Sequence, residues 1–561
     1  MLTRRRFVQG VSGGALLLGA GSRLADATAA SRTELTGPEF ALSIDTLPVN
    51  LTGTGRTAVV VNGQLPAPTL RMRQGDEVTI SVTNKLRERT SIHWHGLIVP
   101  ADMDGVPGLS FDGIAPGTTF SYRFKVNQYG TYWYHSHSRF QEQVGLYGPL
   151  IIDRRGGERH AADREHVLLL SDWTDHDPEH IYATLKRHSD YYNFGQRTAG
   201  DFFADVSQRG WDSAFANWRM WASMRMNSTD LADVSGYAYT YLLNGISPAG
   251  NWTGTFKPGE RVRLRLINGS SMSFFDLRIP GLKLTVVAAD GQDVEPVSVD
   301  ELRIGTAEVY DVIVEPRDAA YTIFAQAMDR SGYARGTLAP RAGMTAEVPA
   351  LDARVSLSMT DMGHGGNGGG EVDHSKMDHA AMGHTPAAQS LIHSPAEFSP
   401  IVDMRVARAN SRLDDPGIGL RDNGRRVLTY ADLSTLGGPI DARDAAREIE
   451  LHLTGHMERY IWSFNGQKFS DATPLKFNHG ERLRVTLVND TMMTHPIHLH
   501  GMWSEVTDAS GKFRVRKHTV TVQPAQRVSY LVTADALGRW AYHCHLLYHM
   551  EAGMFREVTV A

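Results

Sequence analysis

The densest chemistry lies at the C-terminus, in His543-Cys544-His545-Leu546-Leu547-Tyr548-His549-Met550-Glu551-Ala552-Gly553-Met554, and Cys544 is the only cysteine of 561 residues. A lone cysteine cannot cross-link its own chain. A thiolate, imidazoles and a weak distal thioether are together the donors of a mononuclear blue-copper site, a set that fits copper better than zinc or iron. Cys544, His549 and Met554 supply three of these donors, so one further histidine is required. If Cys544 lies on a strand, His543 and His545 point to the opposite face. Neighbouring residues would then serve two metal centres and form a short covalent path for electrons between them.

The other histidines of interest also come in pairs. His93-Trp94-His95, His135-Ser136-His137 and His498-Leu499-His500 join His543 and His545 to make four His-X-His units. On an extended strand, residues i and i+2 share a face about 7 Å apart, near enough to bind one metal or two adjacent ones. Eight imidazoles exceed the four ligands of a structural zinc, and a solvated histidine-rich surface would not recur at matched positions.

The elements that must position these pairs show in an internal repeat. Asn62-Gly63, Asn244-Gly245 and Asn465-Gly466 each begin a stretch that runs to a glycine-acid turn at Gly75-Asp76, Gly259-Glu260 and Gly480-Glu481. Nine residues after each turn glycine stands an asparagine, Asn84, Asn268 or Asn489. The segments between, such as Val262-Arg263-Leu264-Arg265-Leu266, alternate apolar and polar residues as half-buried strands do. The pattern predicts an all-β chain of three Greek-key β-sandwich domains. Nine residues beyond Asn84 and Asn489 come His93 and His498. In a second register the remaining pairs each fall five residues after a glycine, Gly130 or Gly538. The first and third domains thus carry two pairs each, and the second, with Phe275-Asp276-Leu277-Arg278 at the matching place, carries none and is expected to be structural, without copper. The mononuclear site is placed by the same comparison. His495, three before His498, joins Cys544, His549 and Met554, whereas the first-domain equivalents Thr90, Ser136, Gln141 and Leu146 are poor copper ligands.

With His495-Pro496-Ile497-His498-Leu499-His500-Gly501 and His93-Trp94-His95-Gly96 added to the other two motifs, the chain resembles the multicopper oxidases over nearly its whole length. The resemblance implies three cupredoxin-like domains and four copper ions. Type 1 copper would take His495, Cys544, His549 and Met554, and type 2 copper His93 and His498. The type 3 pair would take His95, His135, His137, His500, His543 and His545. It further implies that one-electron oxidation of a donor, relayed through Cys544, is coupled to four-electron reduction of O2 to water. Asp104, in Ala101-Asp102-Met103-Asp104-Gly105, occupies the place of a family acid near type 2 copper and is a candidate proton donor, although an Asp-Gly pair is also a common turn.

The donor is suggested by methionines. Met359, Met362, Met377 and Met382 alternate with His364, His374, His379 and His384 in a glycine-rich segment, and soft thioethers favour Cu(I). These eight residues are candidates for Cu(I) capture. Met492, Met493 and Met502 bracket the His495 motif, where a donor would dock. The Asp373-His374-Ser375-Lys376-Met377-Asp378-His379 run, with the N-terminal arginines, resembles the copper-resistance protein A branch of the family, which implies oxidation of Cu(I). A laccase acting on small phenols, or a copper-sequestering protein, would use many of the same residues.

Composition sets the remaining bounds. The chain is 42% hydrophobic and 21% charged, as expected of a globular protein. Thr3-Arg4-Arg5-Arg6-Phe7 and the short apolar stretch after it read as a twin-arginine export signal over residues 1–30, too short and glycine-rich for a membrane span. The expected location is the periplasm, with the twin-arginine translocase as a partner in export. Removing the net +3 of residues 1–30, four arginines and one aspartate, from the chain's −5 leaves −8, which argues against nucleic acid as a partner. The expected domains are 35–155, 160–345 and 401–561, with a Met/His/Gly-rich linker over 350–400, in a monomer. Residues 176–227, rich in Tyr, Trp, Phe and Arg, are either an insertion covering a domain face or an irregular part of the second domain.

Overall fold

The computed structural model describes residues 33–363 and 389–561. The export signal and six of the eight capture candidates, His364, His374, Met377, His379, Met382 and His384, lie outside the described residues. Strands pair into three sandwiches in chain order: sheets of five and four strands, then six and five, then six and five again. In each sandwich the strand ending at the repeat asparagine runs parallel to the sandwich's leading long strand. Ile44 pairs with Asn84, Leu170 with Asn268 and Leu453 with Asn489. The pairing gives three β-sandwiches, as the repeat predicts.

The repeat residues are conformational devices. Asn62, Asn244 and Asn465 have φ between 50° and 56°, and the glycines after them have φ of 67° to 72°. Two successive positive φ values make the tight hairpin turn that matches strand twist, and Asn-Gly reaches it with the least strain. Each of these asparagines also accepts a backbone N–H from a neighbouring strand, at Ser43, Leu169 or His452. The second set, Asn84, Asn268 and Asn489, is fully buried, and each bonds three backbone groups. The Asn268 amide donates to the carbonyls of Ser273 (2.8 Å) and Ile304 (3.1 Å) while its oxygen accepts from the Ser270 N–H. Asn84 and Asn489 do the same to Glu88, Ile114 and Leu86, and to Met493, Val522 and Thr491. This clamp sets the direction in which the chain leaves the strand, and in the first and third sandwiches that direction carries it to the histidine motif nine residues on.

Two expectations change. The strand Val262–Asn268 is buried on both faces, because its outward Arg263 and Arg265 meet Asp311 at 3.1 and 3.0 Å and Glu158 at 3.0 Å each. Thr131, from the first sandwich, hydrogen-bonds Asp311 and accepts from Arg265, so polar alternation here marks a domain interface and not solvent. The segment expected to be a linker from 350 is packed at its start. Asp352 accepts from Gln326 at 2.6 Å and pairs with Arg425 at 2.5 Å, and Leu357 and Met362 enter the core. Residues 391–446 contain little regular structure and bridge by backbone contacts at Val294–Thr435, Glu301–Val427 and Asn410–Gln526, acting as a strap and not as the leading edge of a sandwich.

Because each clamp satisfies three buried backbone groups, Asn268→Ala is expected to destabilise the protein by about 3 kcal/mol in chemical denaturation.

Candidate metal centres

The lone cysteine ends the strand Gly538–Cys544, which pairs with His495–Leu499 in the register Ile497–Cys544 and His498–His543. Cys544 Sγ lies 3.5 Å from His495 Nδ1 and 3.8 Å from His549 Nδ1, and the two nitrogens are 3.2 Å apart. A planar three-ligand site with bonds of about 2.0–2.3 Å has edges of about 3.5–3.9 Å, so the triangle matches a metal with little movement. The outer ring nitrogens are already engaged. His495 Nε2 donates to Thr491 Oγ1 (2.7 Å) and His549 Nε2 to Asp233 Oδ2 (2.6 Å), which leaves both Nδ1 lone pairs facing the sulfur. Met554 is fully buried, and its backbone carbonyl accepts from the Cys544 N–H. Burial pushes the His495 imidazole well below its usual range and the Cys544 thiol upward. A bound cation is what makes such a thiol ionise.

The eight paired histidines converge across the first and third sandwiches. His93–His95 pairs with Gly130–His135 in the register His93–His135, the counterpart of His498–His543. Ring nitrogens then gather into three sets: His93, His95 and His498; His95, His135 and His545; and His137, His500 and His543. In the last set, His543 Nε2 faces His500 Nε2 at 3.0 Å and His137 Nε2 at 3.3 Å. Strand alternation turns His543 and His545 away from Cys544, and the histidines that face them decide that the two join different sets.

These nitrogens fit metal ions by their hydrogen bonding. Nδ1 of His93 donates to the Asp104 carbonyl (2.8 Å), that of His498 to the His518 carbonyl (2.5 Å) and that of His543 to the Cys544 carbonyl (2.9 Å). His135 Nδ1 meets Glu142 Oε2 at 2.6 Å. The opposite nitrogens, Nε2 of His93, His135 and His498, are buried without any partner, as are His95 Nδ1 and both ring nitrogens of His545. Buried polar atoms without partners cost free energy, and here several share one pocket with their lone pairs turned inward. Burial holds most of these imidazoles well below their usual range, His543 down to about 4. His95, His135, His498, His543 and His545 are therefore neutral, the state that ligates.

Family sequence models described as "Multicopper oxidase" match residues 44–157, 164–344 and 442–561. The chain belongs to the multicopper oxidase family. Among its relatives are the copper resistance protein A homolog of Pseudomonas syringae pv. tomato, 58% identical over all of this chain and 99% of that protein. Copper resistance protein A of Escherichia coli is 57% identical with the same coverage, and multicopper oxidase MmcO of Mycobacterium tuberculosis is 31% identical over 90% of this chain and 84% of that one. Two solved structures share the fold: Fet3p, at TM-score 0.65 and 20% identity over 94% of this chain and 90% of that one, and the laccase of Botrytis aclada, at 0.63 and 22% over 94% and 88%. As a multicopper oxidase the protein binds four coppers, one type 1, one type 2 and a type 3 pair, and uses O2 as acceptor.

Within this oxidase, the residues that sequence comparison missed are mostly carboxylates reaching histidines from distant parts of the chain. Asp233, from the second sandwich, holds His549 and also accepts from Tyr460 Oη at 3.0 Å. Glu142 holds His135, and Asp290 accepts the backbone N–H groups of His518 and Thr519. His518 Nδ1 lies 3.2 Å from His95 Nε2. Asp233 and Asp290 leave no local signal, since an Asp hundreds of residues away has no periodic mark, whereas Glu142 stands only seven residues after His135. Asp104 was found from sequence, and it is central: Oδ2 accepts from His500 Nδ1 at 2.8 Å, and Oδ1 lies 3.3 Å from His93 Nδ1 without a hydrogen bond of its own. Residues 176–227 form three helices, Pro178–Leu185, Ala199–Arg209 and Trp211–Met224. They lie against the Cys544 region: Tyr182 Oη donates to the Glu551 carbonyl, Lys186 Nζ to the Tyr460 carbonyl, and Arg225 pairs with Glu458 at 2.6 Å.

Two corrections concern methionines. Met492, Met493 and Met502 are fully buried core residues, so they present no thioether to an incoming donor. Met362 is likewise enclosed and Met359 is packed against the same core, because apolar side chains at these places close the seam between the second sandwich and the strap.

Asp104→Asn keeps an acceptor for His500 but removes the carboxylate charge and its capacity to carry a proton. Oxygen uptake is expected to fall at least tenfold while the blue absorption stays intact; unchanged uptake would take Asp104 out of proton delivery. Cys544→Ser should abolish the blue absorption with little loss of thermal stability.

Proposed function

We propose that the protein is a cuprous oxidase, taking electrons from Cu(I) and delivering them to O2 in the service of copper resistance. The supporting observation is a cleft of about 440 Å³ whose lining residue Asp230 is hydrogen-bonded to Asp233, the partner of His549. Met226, Met457 and Asp230 are among its lining residues, with Trp218 and Trp221 of the helical insertion forming part of the wall. Met226 and Met457 are largely buried, as the rejected methionines are, but they line the cleft, and their thioethers with the Asp230 side chain suit Cu(I) and the Cu(II) it becomes. The cleft connects inward by hydrogen bonds, since the Asp233 N–H donates to Asp230 Oδ1 (3.1 Å) and Asp233 holds His549.

His495, Cys544, His549 and Met554 are proposed to hold type 1 copper, His93 and His498 type 2, and the triads His95, His135, His545 and His137, His500, His543 the type 3 pair. When bound, copper supplies one-electron transfer from the donor and four-electron reduction of O2 to two waters. The chain's own contribution is positioning. Cys544 is bonded through the backbone to His543 and His545, so the two centres share one strand end. The carboxylates of Asp104, Glu142 and Asp233 orient imidazoles and fix their tautomers. The second sandwich is proposed to carry no copper of the four and to supply the Asp233 contact and the cover.

A laccase role is less well supported, because His495 and His549 are both fully buried, Trp462 stacks on His549 at 3.9 Å, and the helices lie over this region. Phenol oxidation would then be a side reaction. Sequestration alone leaves the oriented histidine sets without a use. Periplasmic location and export by the twin-arginine route are proposed from Arg4-Arg5-Arg6 and the apolar run after them. Among the described residues no helix is long and apolar enough to cross a membrane. Residues 364–384 retain their proposed part as a Cu(I)-collecting segment, now without Met359 and Met362.

Met226→Leu with Met457→Leu is expected to raise the KM for Cu(I) about tenfold, equal to ~1.4 kcal/mol of binding, with phenol turnover and blue absorption unchanged. An unaltered KM would overturn the cleft as the donor site. Deleting residues 364–384 should slow oxygen uptake only at limiting Cu(I). If Cys544→Ser preserved copper tolerance in cells, sequestration would replace oxidation as the function.

A further inference from the structure

The third sandwich holds another convergent set of donors, apart from the histidine motifs. His393 precedes the short 3-10 turn Pro395–Phe398, which contributes Glu397. His452 lies on the strand Arg447–His456, and Asp490 follows the clamp residue Asn489. Their inward atoms form a ring in which nitrogen and oxygen alternate. His393 Nδ1 is 2.7 Å from Glu397 Oε2 and 3.5 Å from Asp490 Oδ2, and His452 Nδ1 is 2.6 Å from Asp490 Oδ2 and 3.3 Å from Glu397 Oε2. All four atoms lie within 4.8 Å of one another.

We propose that these four side chains bind a divalent first-row transition-metal ion, of the zinc or Cu(II) class, as a site additional to the four coppers. Two imidazoles and two carboxylates make a tetrahedral set, and bonds of about 2.0–2.1 Å would give edges of about 3.3–3.4 Å. The observed edges of 2.6–3.5 Å reach this with the two short ones opening by less than 1 Å.

The outer atoms are already committed, which is the pattern of an oriented metal site. His393 Nε2 donates to the Val406 carbonyl (3.0 Å), and His452 Nε2 faces Glu450 Oε1 (3.3 Å). Glu397 Oε1 accepts from the N–H and hydroxyl of Ser394, and Asp490 Oδ1 from the Val406 N–H. Only the four inner atoms remain to face each other. Without metal, a proton on each Nδ1 would bridge to a carboxylate. Binding exchanges those two protons for one dication, so the buried set keeps its net charge. The His393 side chain is 11% exposed, and the others 4% or less, so an ion would enter past His393. Four protein ligands leave no open position, which makes this a closed structural site. It would tie residues 393–406 to the sheet of the third sandwich.

The copper-loaded enzyme is the material for the test, with Zn2+ as the probe. Crystals soaked in Zn2+ should show an anomalous peak at the zinc edge bonded to His393 and His452. Zn2+ in solution should raise the thermal midpoint of the wild type, and not that of His393→Ala or Glu397→Gln, both of which should retain blue absorption and oxygen uptake. Zinc density found only elsewhere, or a midpoint that rises equally in the variants, would overturn the proposal. The crystal result on the wild type stands even if a variant fails to fold.

Discussion

The structure depends on keeping ten imidazoles desolvated and aimed inward. An imidazole in water shares its protons freely, but a buried one must have each ring nitrogen accounted for. Here one nitrogen of most rings donates to a carbonyl, a carboxylate or a threonine hydroxyl. The other is left as a lone pair with no partner but its neighbours. Burial supplies the protonation state, and the hydrogen bonds supply the direction. Everything else, from sandwich packing to the long strap, serves to hold strands so that these lone pairs meet.

That demand explains why the sites lie where sandwiches meet. One sandwich can present His-X-His on a strand, but a single strand pair offers only one face. Bringing His93–His95 and Gly130–His135 against His495–Leu499 and Gly538–Cys544 doubles the number of donors and encloses them. The second sandwich takes part through contacts that carry no histidine. Asp233 reaches His549, Asp290 steadies the His518-Thr519 backbone, and the three helices lie over the Cys544 region. The buried Arg263, Arg265 and Asp311 network of the second sandwich is fully paired, as burial requires, and the Thr131 hydroxyl hydrogen-bonds the first sandwich to it.

Much of this was legible from residue order. Asn-Gly turns, the asparagine clamps and the His-X-His pairs are local, and their spacing follows the two-residue period of a strand or the dihedral needs of a turn. Misreadings arose where burial overrode local chemistry. Alternating Arg263 and Arg265 resembled a solvent face because their acidic partners sit in other strands. Met362, Met492, Met493 and Met502 resembled copper donors because thioether is also an ordinary core group. The segment from 350 read as linker because its pairing, Asp352 with Arg425, closes over more than seventy residues.

From order alone came the donor types, their i, i+2 spacing, the uniqueness of Cys544 and the assignment of histidine pairs to the first and third sandwiches. These are properties of neighbours along a strand. Tertiary structure decided which histidines form each triad, that Asp233 and Glu142 orient them, that a helical insertion with Met226 borders the donor cleft, and that His393 meets Asp490. Apart from Glu142, seven residues after His135, such contacts join residues tens to hundreds of positions apart, and only packing, not periodicity, determines which of them touch.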